Sequence, residues 1–194
     1  MKERKERLGR KARVRADVLH AHLGWAAKRW PDYAARLKPH LGAETLALVE
    51  SPPRGDSDTL LFSDLVRIDQ AIAAAAGGDP HAIYQALGEH SAEHNLKDVY
   101  REYRPEQPHE FFRSMTTLHR AFQDFGKSMY ENRGERSGRI RITRYREYSP
   151  VFCLSGRGYY EQALRMLKVP GPVVVEEVAC HCAGDPACVF ELSW

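Results

Sequence analysis

Val173-Val174-Val175-Glu176-Glu177-Val178-Ala179-Cys180-His181-Cys182-Ala183-Gly184-Asp185-Pro186-Ala187-Cys188-Val189-Phe190-Glu191-Leu192-Ser193-Trp194 closes the chain and reads as two strands around a turn. β-Branched residues fill its first part, Ala183-Gly184-Asp185-Pro186 is turn chemistry, and an apolar strand resumes after it. The predicted strands are 173–182 and 187–194. Just upstream, Ser149-Pro150 opens a predicted helix to about residue 167, closed by Pro170-Gly171-Pro172. Before that, 127–131 and 139–145 flank the turn Asn132-Arg133-Gly134-Glu135-Arg136-Ser137-Gly138. Ile140 and Ile142 face one way and Arg139, Arg141 and Thr143 the other, the pattern of a half-buried strand. The last third of the chain is therefore two hairpins joined by a crossing helix.

Working towards the N-terminus, the texture is helical. Residues 15–30 carry Val18, Leu19, His22, Leu23 and Ala26 on one face, and shorter helices are predicted over 33–41 and 43–49. Ser51-Pro52-Pro53-Arg54-Gly55-Asp56-Ser57-Asp58 is a surface loop. A helix capped by Ser63 and lined by Leu65, Ile68 and Ile72 ends at Gly77-Gly78. Asp79-Pro80 starts another, running to about residue 96, and 108–122 forms a further one with Phe111, Phe112, Met115 and Leu118. The order predicts an α+β fold with N-terminal helices packed on a C-terminal antiparallel sheet. One domain is expected over 15–194, helical over 15–125 and sheet-forming over 126–194, behind a basic arm of residues 1–14.

At 194 residues, 43% apolar and 28% charged, the chain has an ordinary globular balance, which excludes collagen-like and wholly disordered classes. No apolar run is long enough for a membrane span, and Met1-Lys2-Glu3-Arg4-Lys5 leads into no secretory core, so a cytoplasmic protein with reduced cysteines is expected. The first fifteen residues hold eight Lys and Arg against two Glu, within a net charge of +3. Such an arm can touch nucleic acid or an anionic membrane, but without aromatic residues to stack on bases it reads first as a solvated terminus.

Cys180, Cys182 and Cys188 lie close together with Glu177 and His181 among them, and Cys153 sits upstream near the start of the crossing helix. Thiolate, imidazole and carboxylate are zinc ligands, and four would close a structural site pinning helix to hairpin. The spacing is not a double Cys-x-x-Cys, so plain buried cysteines are the alternative.

Glu177-Val178-Ala179-Cys180 and Gly184-Asp185-Pro186-Ala187-Cys188-Val189-Phe190 resemble the C-terminal signature of the 4-vinyl reductase (hydrocarbon-binding) domain family. Pro150-Val151-Phe152-Cys153 with Gly158-Tyr159-Tyr160 is similar to that family's helix entry. The family includes the sensory domains of phenol-responsive transcription activators, and the helical part also resembles an uncharacterised myxobacterial family. The resemblance implies structural zinc held by Cys153, Glu177, Cys180 and Cys188. Strict alternation puts Cys180 and Cys182 on the face opposite Glu177, so Glu177 needs a bulge to join them, and Cys182 is the rival ligand.

The resemblance further implies a pocket for a small hydrophobic or aromatic molecule between helices and sheet. Phe111, Phe112, Met115, His119, Tyr130 and Tyr159 are its candidate lining, with His90, His94 and His109 as further polar candidates. The expected function is a ligand-binding, signalling domain that acts through a protein effector and forms a homodimer. A reductase-like enzyme on a hydrophobic or tetrapyrrole substrate, a non-catalytic adaptor and a haem-based gas sensor are the alternatives. Distant relatives of this fold sense nitric oxide, but their Tyr-x-Ser-x-Arg haem-carboxylate signature is missing. No nucleophile elbow, phosphate loop or acid–base carboxylate pair stands out, and Gly156-Arg157-Gly158 reads as close helix packing.

Overall fold

The structure, a computed structural model, describes residues 11–54, 58–97 and 107–194. Most of the basic arm lies outside them. The described chain starts with strand β1 (Arg13–Arg15), which runs straight into helix α1 (Ala16–Arg29). Helix α2 (Tyr33–Leu37), a 3-10 turn (Lys38–His40) and α3 (Ala43–Glu50) follow. Strand β2 (Thr59–Leu61) pairs antiparallel with β1, Val14 opposite Leu60, and passes directly into α4 (Phe62–Ala76). The cap expected at Ser63 is not used. Leu61, in extended backbone as it leaves β2, is the N-cap, and it makes no side-chain cap bond.

Gly77 ends α4 at φ +69°, a conformation glycine adopts without strain. Helix α5 (Pro80–Leu96) is capped as expected, the Asp79 carboxylate accepting the His81 N–H at 3.0 Å. Helix α6 (Pro108–Phe122) completes the helical part.

A four-stranded antiparallel sheet follows, built from β3 (Lys127–Gly134), β4 (Ser137–Thr143), β5 (Val174–Ala179) and β6 (Cys188–Ser193) in the order β3-β4-β6-β5. Helix α7 (Pro150–Met166) crosses between the hairpins. The α+β class and the two-hairpin arrangement are those of the sequence reading. The first turn is tighter than expected, because pairing runs out to Gly134 and Ser137. The second is broader: β5 stops at Ala179 and residues His181–Ala183 form a 3-10 turn, so Cys182 leaves the strand. No helix among the described residues is long and apolar enough to cross a membrane.

Two apolar clusters fill the interior. One, among the helices, holds Leu19, Phe62, Leu65, Ile68 and Ile72; the other holds Phe111, Phe112, Ile140, Leu164 and Phe190 between α5, α6, α7 and the sheet. Helices α5 and α7 touch backbone to backbone at two glycines. A Cβ on Gly88 would stand 1.8 Å from the Ser155 carbonyl oxygen, and one on Gly158 2.0 Å from that of Gln85. Gly158, not Gly156, therefore carries the close packing expected there.

Candidate ligand-binding site

A cavity of about 100 Å³ lies where the two clusters meet, walled by α1, α5, α6, α7 and the sheet. Phe112, Met115, Ile140, Ile142 and Phe190 make its apolar wall, and His22, Ser91, Asn95, His119 and Gln123 bring polar groups to it. Of the residues predicted to line a pocket, Phe112, Met115, His119 and Tyr159 border this cavity. Phe111 is buried beside Phe112, edge to face at 5.2 Å, and Tyr130 stacks on Phe112 at 5.6 Å from the far side. His109 turns away to bond the Tyr130 hydroxyl at 2.6 Å and the Glu135 carbonyl at 3.0 Å. His90 faces Glu93 at 3.5 Å, and neither it nor His94 borders the cavity.

His119 lies ring-parallel to Tyr145 with centroids 6.1 Å apart, and its Nε2 accepts from the Gln123 amide at 2.8 Å. Burial disfavours the imidazolium and pulls its pKa down to about 4. The ring is therefore neutral at physiological pH.

The sequence places His22 only on an apolar helix face. In the structure it is buried on α1, bordering the cavity, with Nδ1 2.7 Å from Oδ1 of the equally buried Asp69 on α4. The available signal was a pair of polar residues set within two apolar helix stripes, His22 beside Leu19 and Leu23 and Asp69 between Ile68 and Ile72.

The cysteine cluster sits against the sheet end of the cavity, which Cys153 and Cys188 border. One donor atom from each of Cys153, Glu177, Cys180 and Cys188 lies within 4.8 Å of the others. A register shift between Glu177 and Ala179 supplies the irregularity that lets Glu177 join the cysteines. Cys182 lies exposed in the 3-10 turn, outside this group. The sulfurs of Cys153 and Cys188 are 3.5 Å apart and those of Cys153 and Cys180 3.8 Å apart, and all four cysteines are free thiols. The hydrogen bond from Cys153 holds Cys188 down to about 6 and pushes Cys153 itself well above the ordinary thiol range, while burial takes Cys180 to about 12. The His181 backbone N–H also donates to the Cys188 sulfur at 3.4 Å.

No protein-family profile and no curated protein matches the chain. Solved structures do. An H-NOX protein from S. oneidensis in the Fe(II)NO state aligns at TM-score 0.69 and 10% identity, over 93% of this chain and 98% of that one. An unliganded Fe(II) H-NOX protein from K. algicida aligns at 0.66 and 11%, over 93% and 96%. An oxygen-binding H-NOX domain related to soluble guanylate cyclases, in its oxygen complex, aligns at 0.68 and 10%, over 93% and 94%. The chain has the H-NOX fold.

That finding corrects two expectations. The resemblance to the 4-vinyl reductase family is overturned. The residues that carried it have local work in the hairpin: Gly184 sits at φ +102° and Asp185 accepts the Cys180 N–H at 2.8 Å. Structural zinc is overturned with it, because the structures that share the fold are described by their haem and iron states. As folded, the sulfurs satisfy one another by hydrogen bonds, which is the buried-thiol alternative the spacing left open.

Proposed function

We propose that residues 15–194 act as one sensory domain, taking a small ligand of gas or small-ring size into the cavity and reporting its presence to a protein effector. The carrying observation is the cavity itself, lined by side chains from both the helical layer and the sheet, so that an occupant touches both halves at once. A mostly apolar wall with a few placed polar groups is the usual make-up of a ligand site. An empty apolar cavity of roughly 150 Å³ takes up benzene or xenon, so a space of about 100 Å³ suits a still smaller guest. A cytoplasmic location and a homodimer belong to the same proposal.

The H-NOX structures that share the fold include iron(II), nitric oxide and oxygen forms, which makes haem-based gas sensing the second reading. Its support here is the fold and His119, a neutral imidazole on the cavity wall and so in the protonation state a metal ligand needs. The space argues the other way: about 100 Å³ is less than the roughly 150 Å³ cavity that takes up one benzene, and a tetrapyrrole is several such rings. His119 Nε2 is also already engaged by Gln123. As packed, these residues do not fit a haem, so the ligand is assigned to the cavity without one.

Two measurements test this. Amide NMR spectra of the full chain under xenon pressure should shift at Met115, Ile140, Ile142 and Phe190; no shift at those residues removes the cavity reading. Titration with haemin, followed by visible absorption, should give no saturating Soret band. A band at one haem per chain that His119→Ala abolishes would put the haem-based reading in its place.

A further inference from the structure

We infer that Cys153 and Cys188 form an oxidation site for a small hydroperoxide, which the two thiols reduce to water while they join as a disulfide between α7 and β6. The site stands on the cysteine geometry and does not depend on what the cavity binds.

Cys153 lies in the first turn of α7 and Cys188 opens β6, 35 positions apart in the chain, and the fold brings their sulfurs to 3.5 Å. Both are free thiols, and a closure of about 1.5 Å would bring them to the S–S bond length of about 2.05 Å. The Cys188 sulfur accepts the His181 backbone N–H at 3.4 Å as well as the Cys153 S–H. Donors aimed at one sulfur favour its thiolate, the form that attacks an oxidant. Transfer of the shared proton lets either sulfur present the charge. Cys153 is 6% exposed and Cys188 1%, and both residues border the cavity. A bulky oxidant is therefore shut out, whereas hydrogen peroxide is little larger than a water molecule and fits a space of about 100 Å³. Cys182, exposed in the turn, offers bulky oxidants a different thiol.

The chemistry balances without a cofactor. The sulfur anion attacks one peroxide oxygen, the O–O bond breaks, and the departing hydroxide takes a proton and leaves as water. The second sulfur then attacks the resulting sulfenic acid, the S–S bond forms, and the sulfenic oxygen leaves as a second water with the last thiol proton. Counted from two thiols, the pair gives up two hydrogens and two electrons, and one peroxide becomes two waters. Drawing the sulfurs together moves the start of α7 against β6, two of the elements that line the cavity. Peroxide is thereby a second input to the same domain.

The reduced full chain is treated with hydrogen peroxide, remaining thiols are alkylated, and peptides are mapped by mass spectrometry without reduction. The expected product has lost two hydrogens, carries a Cys153–Cys188 cross-link and returns to free thiols with dithiothreitol. The cross-link should still form in Cys180→Ala and in Cys182→Ala and be lost in Cys188→Ala. The map of the parent decides the matter should a variant fail to fold. Glutathione disulfide, a bulky oxidant, should attach to Cys182 and leave Cys153 and Cys188 as thiols. Oxidation confined to Cys180 or Cys182, or a disulfide from Cys153 to either of them in place of Cys188, overturns the site. Amide signals of Ile142 and Phe190 should move between the reduced and the oxidised chain; unchanged signals there overturn the role of peroxide as an input. Failure of xenon to reach the cavity overturns the cavity reading alone and leaves the site to the peptide map.

Discussion

The two ends of the cavity bury polar groups in opposite ways. At the helical end, one imidazole and one carboxylate from residues 47 apart meet once and, among the described residues, each keep an unpartnered atom. At the sheet end, three sulfurs from α7, the second turn and β6 bond one another, and among the described residues Oε1 of Glu177 is the buried side-chain atom there without a partner. The sheet end is nearly closed on itself, as a structural cluster should be. The helical end is less complete, since each member of its pair keeps a buried atom without a partner among the described residues. Removing a residue should therefore have unequal consequences at the two ends.

The largest expected effect is at the helical end. Asp69→Ala leaves a buried imidazole nitrogen without its partner, and an unsatisfied buried polar group costs about 1–3 kcal/mol, more where the lost partner is charged. Urea denaturation of the variant against the parent checks this; a loss below about 1 kcal/mol would mean the pair is not held as a unit. Next comes the contact on which both ends lean. Gly88→Ala drives a methyl group to 1.8 Å from the Ser155 carbonyl oxygen, so α5 and α7 must part. Overpacking of this kind costs about 1–3 kcal/mol. The same denaturation series should also show the cavity altered, as loss of the xenon-induced shifts.

Acid separates the ends by a different route. His119 takes up its proton only near pH 4 in the folded chain, whereas an unfolded histidine does so near pH 6.5. Between those values the unfolded state binds more protons, so stability falls as pH drops through this window. His119→Gln should flatten that limb, measured as the melting temperature between pH 7 and pH 4. An unchanged limb would show that other groups control the acid response.

Much of this architecture was legible because its signals are local. Asp79-Pro80 caps α5, Pro108 opens α6, and the alternation of Ile140 and Ile142 against Arg139 and Arg141 fixes the buried face of β4. Strands β1 and β2 were not legible, since three residues give no alternation to read and their pairing joins positions 46 apart. The same pairing misplaced the cap at Ser63, because the chain enters α4 from a strand where a turn was expected. The cysteine grouping was read from spacing within one hairpin, whereas His22 and Asp69 lie on different helices and neither position alone announces the other. The family resemblance failed for a related reason: residues shaping a tight β-turn recur wherever that turn is needed, and they constrain ancestry weakly.

The smallest expected effect on stability is at the sheet end, where it is also the most diagnostic. Cys153→Ala removes the thiol that donates to Cys188 and accepts from Cys180, two sulfur hydrogen bonds worth together about 1 kcal/mol. Its effect on titration is larger than its effect on folding. Without that donor, Cys188 should leave its position near 6 and move up towards the ordinary thiol value of about 8.5, burial pushing it upward while the His181 N–H still holds it back. In the parent, a depressed thiol means the folded state has released a proton the unfolded state still holds, so stability rises with pH from about 6 to about 8.5. Above that range the raised thiol of Cys153 reverses the trend, since the unfolded chain can ionise there and the folded one resists. Thiolate ultraviolet absorbance during a pH titration, with urea midpoints at matched pH, should show the rise in the parent and its loss in Cys153→Ala. A variant whose midpoints still climb between pH 6 and pH 8.5 would show that the sheet end is not closed through the Cys153–Cys188 hydrogen bond, and the contrast between the two ends would go with it.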